Sequence, residues 1–116
     1  MKWQKPSEEL VTLLKKKLEN TKCESRKVFG CPSYFINNNM FIGVFQKNIF
    51  IRLSPEDAKE TLEKHPKVRH FEPRTGMVMK EYLTLPETIY QRKDVFSRLL
   101  EKSLEYVRSL PPKKKR

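Results

Sequence analysis

Three short runs of β-branched and aromatic residues lie between Arg26 and Asp57, separated by turn residues. Lys27-Val28-Phe29 reads as a short extra strand leading into Gly30-Cys31-Pro32, a bend where glycine supplies an otherwise forbidden backbone angle and proline ends ladder pairing. Tyr34-Phe35-Ile36 follows, then Asn37-Asn38-Asn39. Asparagine is the non-glycine residue that best tolerates positive φ, so the pattern predicts a tight hairpin centred on Asn37-Asn38. A second hairpin is expected to turn at Lys47-Asn48, setting Phe45 opposite Phe50 and Val44 opposite Ile51. Both registers put Phe35, Met40, Ile42, Val44, Ile49, Ile51 and Leu53 on one face, which is assigned to the core, and Tyr34, Ile36, Phe41, Phe45, Phe50 and Arg52 on the other. A slip of one residue in either turn would scramble that assignment.

Helical periodicity brackets these strands. Pro6-Ser7-Glu8-Glu9 is a helix start with Ser7 as cap, and Leu10, Leu13, Leu14 and Leu18 recur at helical spacing as far as about Asn20. Ser54-Pro55-Glu56-Asp57 is a second start, followed by the stripe Ala58, Thr61, Leu62 and His65, and Pro66 stops it. Val68 to Glu72 and Val78 to Leu85 read as strands around a turn at Pro73-Arg74-Thr75-Gly76, with Met79, Leu83 and Leu85 on one face. The last helix begins near Asp94 and carries Phe96, Leu99, Leu100, Leu104, Val107 and Leu110 until Pro111-Pro112 breaks it. The fold class is therefore α+β: a two-layer sandwich with an antiparallel sheet, in the order α-β(3)-α-β(2)-α, its helices mainly on one face.

Length makes this one domain, residues 1–110, followed by a basic tail, residues 111–116, read as disordered. The net charge of +11 is uneven, with Lys113, Lys114, Lys115 and Arg116 at the end and Lys15 to Lys17 in the first helix. Such an excess attracts nucleic acid, anionic surfaces or acidic partners through its field, and it also serves solubility. No apolar run approaches the length of a membrane span and none follows the N-terminus as in a signal peptide, so a cytoplasmic protein without membrane contact is expected. Cys23 and Cys31 are then expected to be reduced.

The residues themselves are familiar. Val28-Phe29-Gly30, FINNNMFIGVF from Phe35 to Phe45, IRLSPED from Ile51 to Asp57, TGMVMKEYLTLP from Thr75 to Pro86 and RSLPPKKKR from Arg108 to Arg116 occur in order and at family spacing. Through them the chain resembles the TfoX/Sxy N-terminal domain family, associated with regulation of bacterial competence. Two stretches depart from the pattern: Cys31, Pro32 and Ser33 stand where the family commonly has further glycines, and Asn37-Asn38 where it often has Asn-Gly. The resemblance implies a two-layer fold also seen in secretion chaperones. It further implies a regulatory role, one attached in the longer member to a second, C-terminal domain for which these 116 residues hold no counterpart.

Chemistry is sparse beside this. The chain has no phosphate-cradling glycine loop and no nucleophile motif, and no cofactor is expected. Cys23, Cys31, His65 and His70 match no compact zinc spacing, so no metal site is expected either. Glu81, the one carboxylate in an apolar strand, is expected to pair with a lysine or arginine. If helices cover one sheet face, Tyr34, Phe41, Phe45 and Phe50 beside Arg52 form an apolar patch on the other, a candidate interaction surface. The leading expectation is a non-enzymatic regulatory or protein-interaction domain, self-association included. The alternative is a nucleic-acid-binding accessory protein that stacks bases on those aromatics and holds phosphates with Lys113, Lys114, Lys115 and Arg116.

Overall fold

A computed structural model describes residues 7–28 and 30–112. Helix α1 (Glu8–Lys17) is followed by β1 (Glu24–Val28), β2 (Cys31–Ile36), β3 (Asn39–Phe45) and β4 (Asn48–Arg52), then α2 (Pro55–Lys64). β5 (Arg69–Arg74), β6 (Met77–Leu85), a four-residue α3 (Glu87–Tyr90) and the long α4 (Lys93–Ser109) complete it. The six strands form one antiparallel sheet in the order β1-β2-β3-β4-β6-β5. This is the expected α+β class, with the extra strand extending back to Glu24. Phe29 lies outside the described residues.

Local chemistry sets most boundaries. The Ser7 and Ser54 hydroxyls accept hydrogen bonds from the backbone N–H groups of Leu10 and Asp57, capping α1 and α2, and Pro55 opens α2 at a position that has no helical bond to lose. Helix α1 ends at Lys17, earlier than expected, and α4 starts at Lys93 with Asp94 inside its first turn. Asn37 and Asn38 take φ of 51° and 66°, the two left-handed residues of a tight hairpin. The next turn falls one residue earlier than expected, at Gln46-Lys47, with Gln46 at φ 57°. Val44 therefore pairs with Ile49 and Gly43 with Phe50. The pairing moves by two residues, so the face of every residue in β3's second half and β4 is kept.

A β-bulge changes the other half of that strand. Tyr34 pairs with Ile42 and Phe35 with Met40, so Phe41 is an extra residue in β3. Phe41 and Ile42 both enter the helix-side core, while Met40 turns to the opposite side. The expected face assignment is thereby corrected: Tyr34 and Ile36 pack toward the helices, and Met40 does not. Two side chains, one from each layer, bond to backbone carbonyls at the bulge. Tyr82 Oη donates to the Met40 carbonyl at 2.9 Å, and the buried Ser103 hydroxyl of α4 donates to the Phe41 carbonyl at 3.4 Å.

The main core joins Leu10, Leu14 and Leu18, Ala58, Ile89, and Phe96, Leu99 and Val107 to Ile42, Val44, Ile49, Ile51, Leu83 and Leu85 of the sheet. All four helices thus lie on one face. No helix among the described residues is long and apolar enough to cross a membrane.

Gly43 faces the other way. A Cβ there would sit 2.4 Å from Phe50 Cζ and 2.8 Å from the Pro32 carbonyl oxygen, and the latter is backbone that cannot step aside. Gly43→Ala is therefore expected to cost about 1–3 kcal/mol by overpacking. Urea denaturation of the variant checks it, and an unchanged midpoint would contradict the close approach.

Candidate interaction surface on the second sheet face

The face away from the helices builds a core of its own. Phe50 lies against Gly43, and Phe71 of β5 stacks on it with ring centroids 4.5 Å apart and planes 7° from parallel. Phe45 meets Phe71 edge-on at 5.3 Å, and Tyr82 lies 6.2 Å from Phe50. Phe50 and Phe71 are 2% and 1% exposed. Strands two apart in a flat sheet are separated by roughly 9.5 Å. The two rings therefore lean toward each other across β6, and the pairing of β5 with β6 slips at His70/Phe71 and again before Arg74, where bulges bend a strand. Met40, Phe45 and Met79 are half-buried around this cluster and form its rim.

Each expected surface residue can now be located. Phe45 and Phe50 do share the helix-free face, but Phe50 is buried beneath Phe71. Phe41 is fully buried and Tyr34 half-buried in the helix-side core. The continuous bare patch of four aromatics is therefore corrected to a small closed cluster with an apolar rim. Phe71 and Tyr82, which close it, were missed; the available signal was a lone aromatic among the charged residues of β5. Met79 also departs from expectation, packing with this cluster rather than with Leu83. Lys113, Lys114, Lys115 and Arg116 lie outside the described residues.

Arg52 sits at the end of this face between two rings, its guanidinium 5.6 Å from the centroids of both Tyr82 and Tyr106. Its Nε and an Nη donate to Glu81 Oε1 at 3.0 and 2.9 Å, and Tyr106 Oη donates to the same oxygen at 2.9 Å. Glu81 has the basic partner expected of it. The pair ties β4 and β6 to α4, a positioning role for Arg52 rather than a free recognition group. Burial lowers the Arg52 pKa, but Tyr82, Glu81 and Tyr106 outweigh it and hold the charge firmly.

Elsewhere the reactive groups are subdued. Burial raises the thiols of Cys23 and Cys31, neither of which is in a disulfide, and this keeps them protonated and poorly nucleophilic. The cleft between α2 and α4, about 130 Å³, brings Glu60, His65, Asp94 and Arg98 near one another, with Glu60 paired to Lys64 at 2.6 Å. His65 is the C-cap residue of α2.

Burial raises the Tyr82 hydroxyl above its ordinary value of 10.0, against the pull of Arg52, and burial with the Glu81 hydrogen bond raises Tyr106. A raised acid favours folding while neutral, so this contribution is fully present below pH 10.0 and is lost as pH rises through the raised values. Tyr82→Phe, which removes the hydrogen bond to the Met40 carbonyl, is expected to cost about 1–3 kcal/mol at neutral pH. That difference from wild type should shrink above pH 10.0 in urea denaturation, and a constant difference would contradict the assignment.

A family model described as the TfoX N-terminal domain matches residues 14–107, from the middle of α1 to the end of α4. No curated protein was found to match the chain.

Proposed function

The chain belongs to the TfoX N-terminal domain family, and from that premise we propose that it is a non-enzymatic regulatory domain that works by protein contact, through the sheet face the helices leave open. The observation that carries this reading is the rim of that face. Met40, Phe45 and Met79 stand half-buried around a rigid aromatic floor, and methionine is the side chain that best adapts to an apolar partner. The molecule measures about 33 × 30 × 30 Å, so one face is large enough for the roughly 800 Å² per partner of a stable interface. The non-enzymatic part of the reading has its own support: the conspicuous strand carboxylate, Glu81, is occupied by Arg52 and Tyr106, and the thiols are held protonated.

The partner proposed for this face is a second copy of the chain. Two copies meeting through it would bury both apolar rims against each other in one isologous contact. Sedimentation velocity at micromolar concentration tests it. The wild type is expected to sediment as a dimer, and Met79→Lys, which puts a charge on the rim, as a monomer. A wild type that remains monomeric would overturn self-association through this face.

A further inference from the structure

The β5–β6 hairpin runs on past the sheet. Pairing of β6 with β4 ends at Tyr82 opposite Arg52, with one further bond from Leu53 N–H to the Glu81 carbonyl. From Lys80 toward the tip, β6 has only β5 beside it. Met79 still touches the aromatic cluster, and beyond it Arg74 to Val78 are all exposed. The tip is a two-residue turn, Thr75-Gly76, with Gly76 at φ 86° in open space and its N–H held by Glu72 Oε2 at 2.8 Å.

This tip carries an unusual combination of side chains. Met77 and Val78, 44% and 48% exposed, are the large hydrophobic residues left exposed among those described. Arg74 pairs directly across the ribbon from Met77, Lys80 follows two residues after Val78, and Arg69 stands at the ribbon's root. None of these three cations has an ion-pair partner among the described residues, whereas Arg26, Arg52, Lys64 and Lys102 do. Their charge is therefore available to a partner. Helix-side neighbours do not cancel it: the groove between α2 and the ribbon sets Lys59 beside Glu63, and Glu81 there is already bound to Arg52.

We infer that the β5–β6 ribbon is a contact element for double-stranded nucleic acid, with Arg74, Lys80 and Arg69 on phosphates and Met77 and Val78 as an apolar tip inside a groove. The dimensions match. Two strands are about 5 Å apart and three residues of strand reach about 10 Å, against a DNA major groove about 12 Å wide and 8.5 Å deep that accepts a two-stranded β-ribbon. Cations flanking an apolar tip suit such a site, because phosphate contacts set affinity while the tip meets base edges or thymine methyls. The net charge of +11 draws the polyanion in from a distance. Met79 at the base of the ribbon belongs to the rim with Met40 and Phe45, but none of the four side chains substituted below does, so the two readings are tested by different variants.

The test is fluorescence anisotropy of a labelled mixed-sequence DNA duplex against the full chain over a series of salt concentrations. Three variants accompany it: Arg74→Ala with Lys80→Ala, Met77→Ser with Val78→Ser, and a chain lacking residues 113–116. All four substituted side chains are exposed, so circular dichroism should be unchanged. Removing the two cations is expected to weaken binding about tenfold or more and to reduce the slope of log affinity against log salt by about 1.8. The Met77/Val78 variant is expected to bind several-fold more weakly with the slope kept. Duplex affinity unaffected by both ribbon variants, or lost wholly with the tail, would overturn the inference. So would Met77/Val78-dependent binding to vesicles containing phosphatidylserine by a chain that leaves the duplex free.

Discussion

Four helices on one side of a six-stranded sheet leave the other side for the chain itself to close. The central contact in that closure is the stack of Phe71 on Phe50, which lies directly against Gly43. That contact joins β5, the last strand of the sheet order, to β4 across the intervening β6. Three consequences follow: Tyr82 is placed to hold the Met40 carbonyl, Met40, Phe45 and Met79 are left as a rim, and the hairpin tip is carried clear of the body.

The Phe41 bulge is the second constraint, and it works with the first. One extra residue lets β3 send two consecutive side chains into the helix-side core and turn Met40 toward the aromatic cluster. The carbonyls of Met40 and Phe41 are held from both faces, by Tyr82 and by Ser103 of α4. Both layers are thus fastened to the same two residues of one strand. A bulge bonded from both sides is a fixed feature of the fold, since releasing either hydroxyl loses a hydrogen bond to it.

Much of the fold was legible in the sequence because it depends on local chemistry. Ser7 and Ser54 mark helix starts, Asn37-Asn38 a hairpin, and the α4 stripe its buried face, since each feature needs only residues a few positions apart. The second turn was misplaced because Asn48 attracts a left-handed assignment that Gln46 takes instead, an error of even parity that left the faces intact. The bulge was not legible: no glycine announces it, and it inverted the faces of Tyr34, Ile36 and Met40. The closed aromatic cluster was also hidden, since Phe50 and Phe71 meet only after β6 is inserted between their strands. The candidate surface was half legible for the same reason. Phe45 was assigned to the right face and Phe50 too, but not the ring that covers it.

Within the TfoX N-terminal domain family, this architecture separates a structural side, where the helices pack, from a side shaped by a hairpin with an apolar rim at its base and cations toward its tip. That division rests on the Phe71–Phe50 stack. The most direct measurement is amide hydrogen exchange on wild type and Phe71→Ala. Truncating this buried ring should cost about 3–5 kcal/mol overall. Protection should fall furthest in β5 and β6, from Arg69 to Glu81, while β2 and β3 remain the slowest to exchange. A hairpin that keeps its wild-type protection relative to β2 and β3 would contradict the account.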